Sequence, residues 1–404
     1  MNDLIRTKLE QATGLIDAAD VDVWLVFDRD TADGGDPILP LILEGGLTWQ
    51  SALMMARGGR RVAVVGNYDA PILEASGHWD SVVGYVEGIR EPLVAALEEL
   101  IDSPDRAPRI AVDFSADDAK ADGLRHGMYL RLERYLRGTR FDGCLVSAEE
   151  IVMALRSCKT AVEVGRMQSA IAATEHLFDE MIAQARVGAS EREIYDFVQG
   201  RIDARGLGYG WDRAGDPMVN CGPESMVGHG GPSVDIRLQP GHILHLDLGV
   251  IVDGYSSDIQ RCWYVPRPGE TELPAEVGRA LSAVAGAISA GAALVRPGIE
   301  GWRVDEAARR FIMDAGYPEY MHALGHQVGR MAHDGGGILG PRWERYGRTP
   351  ELLLQPDQVY TLELGVTVED HGYLGLEEMV RVTESDLDWL TTRQLRIPLL
   401  DLGS

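Results

Sequence analysis

Two aspartates, Asp247 and Asp258, stand eleven positions apart in the stretch HLDLGVIVDGYSSDIQR, residues 245–261. The stretch otherwise reads as a buried hairpin, rich in Val, Ile and Leu, with Asp253-Gly254 as a two-residue turn. Asp is depleted in strands and costly to bury without a partner. With that turn, Val252 pairs with Tyr255, Gly249 faces Asp258, and Asp247 faces Gln260. Side chains alternate along a strand, so the two carboxylates share a face as diagonal neighbours, roughly 7–8 Å apart at the backbone. Like charges on a buried face repel unless a proton or a cation lies between them, and one or two divalent metal ions are the natural occupant. On this segment alone an alternative stays open, with one Asp as a turn or cap residue and the other in solvent.

A second acidic pair lies further on. Glu363 in TLELGV and Glu377 in LGLEEMV, fourteen positions apart, occupy strand-like settings where a carboxylate is out of place. Between the pairs runs YMHALGHQVGRMAHDGG (320–336), with His322, His326 and His333, and His229 precedes the first hairpin in SMVGHGG. Each has an ordinary structural alternative: Glu363 on an edge strand, His322 and His326 on one packed helix face, His333 in a loop. Taken together, four carboxylates and one imidazole make a ligand set for two divalent ions, with oxygen donors predominating. Two such ions ~3.5–4 Å apart hold a bridging water as hydroxide and polarise a carbonyl.

The elements that must present these residues follow from periodicity. Residues 161–185 and 191–204 predict two helices, 275–295 and 302–315 two more, and 359–366 with 375–383 a second strand pair. The order helix, helix, hairpin thus occurs twice, which suggests two similar halves with one acidic hairpin each. Before them, a helix over 3–18 and another over 91–101 alternate with strands at 22–27, 61–66 and 109–114, the pattern of a small α/β domain. The expected division is an N-terminal α/β domain, 1–155, and a larger domain, 156–404. The loop TADGGDPILP (31–40) lacks GxGxxG spacing at a strand-to-helix junction, so no dinucleotide site is expected.

The ordered motifs DLG, SDIQR, GHQVG, LELG and LEE resemble the family of prolidase, aminopeptidase P, creatinase and methionine aminopeptidase, over about 160–400. The resemblance implies an α/β (α+β) architecture, a C-terminal pita-bread domain behind a smaller creatinase/prolidase-type domain. It implies two metal ions held by Asp247, Asp258, His326, Glu363 and Glu377, with Asp258 and Glu377 bridging. Glu363 is then also the base. By the same likeness His229 contacts substrate near the scissile bond, and His322 and His333 line the pocket, stabilise the oxyanion or shuttle a proton; His229 and His333 bind substrate. The implied function is a dinuclear peptidase cleaving next to an N-terminal residue, most readily before proline, through a metal-bridging hydroxide. Manganese is the expected metal, with cobalt or zinc as alternatives, a small peptide the substrate, and a homodimer the assembly. Leu364, Gly375 and Asp334 depart from the family pattern near the pocket, where hydrogen bonds and shape set selectivity. A hydrolase of a small non-peptide amide or amidine, and a non-catalytic binding module, are the competing readings. Arg330, Arg342 and Arg345, and the loop residues Tyr209, Trp211 and Asp212, could line a pocket or simply pack the surface.

Composition narrows the rest. The chain has 404 residues, 45% hydrophobic and 25% charged, with a net charge of −25, which argues against nucleic acid and anionic membranes as partners. No apolar run reaches the ~18–20 residues of a membrane span, and no apolar leader opens the sequence. The four cysteines are scattered, without a CxxC, as expected of free thiols in a cytoplasmic protein.

Overall fold

Strands that are apolar at nearly every position need cover on both faces, and the first part of the chain supplies it. The computed structural model describes residues 2–102, 106–228 and 230–400, and divides into two units, Met1–Arg156 and Ser157–Ser404. The first unit contains α1 (Asn2–Ala18), β1 (Val23–Asp28), α2 (Leu39–Ile42), β2 (Ser51–Ala56), β3 (Arg61–Gly66), α3 (Ala70–Ser76), β4 (Ser81–Tyr85), α4 (Arg90–Leu100), β5 (Ile110–Val112), α5 (His126–Leu136) and β6 (Leu145–Ser147). Its sheet runs β4-β3-β2-β1-β5-β6. The central pairs β1–β2 and β2–β3 are antiparallel and the outer ones parallel. Trp24, Val26, Leu53 and Met55 pack on one side with Leu9 and Ile16 of α1. Val23, Leu25, Phe27 and Met54 pack on the other with Leu93 of α4 and Leu132 of α5. This is the two-residue alternation of a strand, with both faces buried.

Under the rim of that sheet lies an acidic cluster, Asp28, Asp36 and Asp113, all buried. Trp24 Nε1 donates to Asp113 Oδ1 at 2.6 Å, and the backbone N–H of Asp36 donates to Asp28 Oδ2 at 2.7 Å. Burial pushes Asp36 up to about 6. Burial, then the charge of Asp36, pushes Asp113 well above the usual carboxylate range.

A helix, α6 (Glu149–Ser157), leads to the unit boundary. Beyond it α7 (Ala161–Gln184) and α8 (Glu191–Ala204) each begin with a capping box, Thr160 with Glu163 and Ser190 with Glu193, so their first N–H groups are satisfied locally. There follow β7 (Gly208–Tyr209), β8 (Met218–Cys221), β9 (Ile243–Leu248), β10 (Val250–Val252), β11 (Tyr255–Ser256), β12 (Ile259–Tyr264), α9 (Ala275–Ala292), α10 (Gly301–Asp314), β13 (Val359–Val368), β14 (Gly372–Val382) and β15 (Leu387–Trp389). Among the described residues these strands form three small sheets, β11-β10-β7, β12-β9-β8 and β13-β14-β15. Val284 and Ile288 of α9 and Val304 of α10 pack on Leu362, Leu364, Leu374 and Leu376 of the second hairpin. The helix, helix, hairpin order occurs twice, within a mixed α/β architecture.

The first hairpin has the register expected from its turn, Val252 opposite Tyr255 and Asp247 opposite Gln260. It is broken at Gly249. A Cβ there would lie 2.6 Å from Ser257 O and 2.7 Å from the Trp211 ring. The hairpin's tip therefore joins β7 and its base joins β8. The helical alternative for His322 and His326 does not occur. Residues 320–341 run irregularly, tied by the bridges Gly325–Leu339 and Gln327–Tyr360.

Candidate metal centre

Strand alternation builds the site. Asp247 on β9, Gln260 on β12, and Glu363 and Glu377, directly opposed on β13 and β14, face one another, with Asp258 at the start of β12. The loop carrying His326 is pressed against β13. Thr361 N–H donates to His326 O at 2.9 Å, and His326 N–H to Thr361 Oγ1 at 3.1 Å. Gly325 permits this approach, because a Cβ there would lie 1.9 Å from Thr361 O. Ligand atoms of Asp258, His326 and Glu377 all lie within 4.8 Å of one another. His326 Nε2 is also 3.3 Å from Glu363 Oε1 and 3.6 Å from Asp258 Oδ2. Asp247 stands behind them, near enough that the Glu363 charge raises its pKa.

The donor set fits divalent cations. Asp247, Asp258 and Glu377 are buried, and neither Glu377 oxygen nor Asp247 Oδ1 meets a hydrogen-bond donor in good geometry. Burial first, then mutual repulsion, pushes all three well above the usual carboxylate range. Glu363 moves the other way. Burial raises it, but the His326 hydrogen bond and the charges of His326, His322 and His333 outweigh that, and it stays ionised. Unpaired carboxylates without donors are costly to bury, and a cation among them removes the cost. His326 Nδ1 faces Gln327 O at 3.5 Å. Nε2–H points to Glu363 Oε1 here, and a proton carried on Nδ1 instead would free the Nε2 lone pair for a cation, the arrangement of a ligating histidine with its outer partner.

Glu378, next to Glu377, points the opposite way. Its carboxylate takes Arg261 at 2.9 Å and Thr391 Oγ1 at 2.6 Å. The His333 ring lies 4.3 Å from that of His326, centre to centre. His322 leans on Tyr320 and holds Ala323 O at 2.7 Å through Nδ1. His229 lies outside the described residues. Of the departures, Leu364 faces the core, away from the carboxylates. Asp334 forms a buried ion pair with Lys159 at 3.1 Å, which anchors the loop behind His333. Gly375 lies opposite Gly365. Arg330, Arg342 and Arg345 lie on the faces of Tyr255, Trp302 and Trp343. Tyr209 bonds Asp203, Trp211 bonds Gly215 O, and Asp212 caps a short turn through Ala214 N–H, so these residues pack their loop.

Three residues that the motifs did not single out also converge here. Asp216 is buried, accepts from Gly210 N–H at 2.8 Å and Gly249 N–H at 3.4 Å, and is pushed up to about 8 by burial. It pins the hairpin break. Gln260 donates to Glu363 Oε2 at 2.8 Å. His245 is 3.1 Å from Gln260 Oε1, and burial pushes it down to about 4. Strand alternation from Asp247 was the available signal for His245, two positions before it, and register was the signal for Gln260, directly across.

The family model of metallopeptidase family M24 matches residues 165–384, more than half of the chain, and the chain belongs to that family. It is 29% identical over 245 residues to an Xaa-Pro dipeptidase of Pyrococcus furiosus, covering 60% of this chain and 65% of that protein. The matched stretch therefore spans just under two thirds of that relative's length. A crystal structure of dipeptidase PepE from Mycobacterium ulcerans superposes with a TM-score of 0.75 at 22% identity, covering 99% of this chain and 98% of that one. An X-Pro aminopeptidase from Thermotoga maritima superposes at 0.69 and 22% identity, covering 97% and 99%. These likenesses show the pita-bread fold.

Proposed function

We propose that the chain is a dinuclear peptidase that cleaves the bond after an N-terminal residue, with proline following the cut. The observation that carries this reading is the constellation of buried Asp258 and Glu377 with half-buried His326, flanked by Glu363 and Asp247, in which both Glu377 oxygens and Asp247 Oδ1 meet no donor. Asp247, Asp258, His326, Glu363 and Glu377 would hold two divalent ions, which supply an activated water and polarise the scissile carbonyl. Manganese suits so oxygen-rich a set. Glu363, ionised, accepts the proton of the attacking water at Oε1, the oxygen not bonded to Gln260. His322 and His333 lie close enough to influence Glu363. As neutral rings they donate to the developing oxyanion, and as cations they protonate the leaving amine. His229 belongs to the same proposal as a substrate contact, and so does His333.

A homodimer is part of the proposal through likeness to the family. A cytoplasmic setting accords with four free cysteines, and no helix among the described residues is long and apolar enough to cross a membrane. The test is hydrolysis by the Mn²⁺-loaded protein of an Xaa-Pro dipeptide, an Xaa-Pro-Xaa tripeptide and a proline-free control, each with and without chelator. Chelator-sensitive cleavage before proline is expected, and the dipeptide-to-tripeptide ratio separates a prolidase from an aminopeptidase P. Two bound metals without cleavage of any of the three would move the substrate to a smaller, non-peptide amide.

A further inference from the structure

Gln260 stands between the candidate metal ligands and a histidine that has no place in an apolar strand. Its neighbours on β9 are Leu244, Leu246 and Leu248, all fully buried, yet the position between Leu244 and Leu246 is His245. Both Gln260 and His245 are buried. A buried polar pair of this kind persists where each bond is satisfied and the direction of each bond is fixed.

The directions can be read outward from Glu363. An ionised carboxylate only accepts, so Gln260 turns its NH2 toward Glu363 Oε2, at 2.8 Å. Its oxygen then accepts from His245 Nε2, at 3.1 Å. On the far side of the ring, Nδ1 lies 2.9 Å from the Asn220 side-chain amide. The Asn220 NH2 donates to Met226 O at 3.1 Å, which fixes that amide with Oδ1 toward the ring. Tyr373 stands edge-on to the His245 ring, 5.0 Å between centres at 89°. It fills the notch left by the opposed glycines. A Cβ on Gly365 would lie 2.3 Å from the Tyr373 ring and one on Gly375 2.6 Å from it. The ring wall keeps His245 from rotating.

We propose that His245 and Gln260 form a positioning relay that holds Glu363 by Oε2, leaving Oε1 turned toward His326. Glu363 then binds metal and accepts the proton through one oxygen only, in a fixed orientation. This inference rests on the metal-centre reading above. Gln260 and His245 are positioning residues, since neither meets the reacting atoms. Outer partners that orient a ligand typically govern metal affinity by 10–100-fold.

The experiment titrates the purified full-length chain with Co²⁺ alone, by calorimetry and by visible absorption, and follows turnover of the Xaa-Pro dipeptide in parallel. Gln260→Leu removes the donor to Glu363. His245→Leu removes the bond one step further out and serves as the second variant if the first fails to fold. His245→Gln keeps a donor near the Nε2 position. The relay predicts Co²⁺ affinity about 10-fold or more weaker and shifted absorption bands in both Leu variants. It also predicts a fall in kcat with little change in KM, and recovery of affinity and spectrum in His245→Gln. Folded Leu variants with wild-type Co²⁺ affinity and spectrum overturn the relay, even if their melting temperatures drop. A wild-type chain that takes up no Co²⁺ overturns the metal reading and the relay with it.

Discussion

At the scale of single residues, neighbours on one strand separate the candidate metal site from architecture. Glu377 faces the other carboxylates, while Glu378 is paired to Arg261 on the reverse face. Glu377→Gln is expected to lower bound metal and cut turnover by about two orders of magnitude, with the melt of the metal-free protein preserved. Glu378→Gln is expected to keep the metal and cost about 3–5 kcal/mol, the usual penalty for breaking a buried ion pair. Metal analysis and thermal melts of the two variants check this, and the reverse pattern would exchange the roles of the two glutamates. Asp258→Ala and His326→Ala should likewise abolish turnover in a folded protein. Asp36 carries a pH prediction. Unfolded it titrates near 3.8 and folded near 6. Between those values the folded chain retains a proton that the unfolded chain has released, so stability falls as pH rises through this window. Asp36→Asn should gain about 2–3 kcal/mol above pH 6 and nothing below pH 4, measured by denaturant unfolding across that range.

At the scale of elements, the site depends on how closely the His326 loop lies on β13. Gly325→Ala brings a methyl group against Thr361 O. Overpacking of this kind costs about 1–3 kcal/mol, and the displaced His326 should reduce turnover further than the stability loss alone explains. Activity measured well below the melting temperature distinguishes the two effects. Lys159→Met breaks the buried ion pair with Asp334 and should cost about 3–5 kcal/mol. Much of this scale is legible in the sequence. The Asp253-Gly254 turn fixes the register of the first hairpin, and alternation then places Asp247 and Gln260 opposite each other. The loop at 320–341 is not legible, since His322 and His326 have helical spacing but no local signal reports that Gly325 packs on a distant carbonyl. His245 is hidden for a related reason. Its partners, Asn220 and Gln260, are brought to it by strand pairing over 25 and 15 positions.

At the scale of the molecule, each unit has its own core, and the carboxylates belong to the second. Metal at about a thousand times its Kd stabilises a folded state by about 4 kcal/mol. Chelation is therefore expected to speed hydrogen exchange in β13 and β14 while leaving β1 to β3 unchanged, read by mass spectrometry of peptides from both units. Equal acceleration in both would mean that the units unfold as one. The ligand set also has a temporal side. Asp258 and Glu377 lie 119 positions apart, so at 5–20 residues per second a ribosome takes roughly 6–24 s to pass from one to the other. Through that interval the nascent chain holds an acidic hairpin whose counterpart does not yet exist. A metal centre of this composition would close only after Glu377 is made, and until then the first hairpin waits with its aspartates hydrated or protonated.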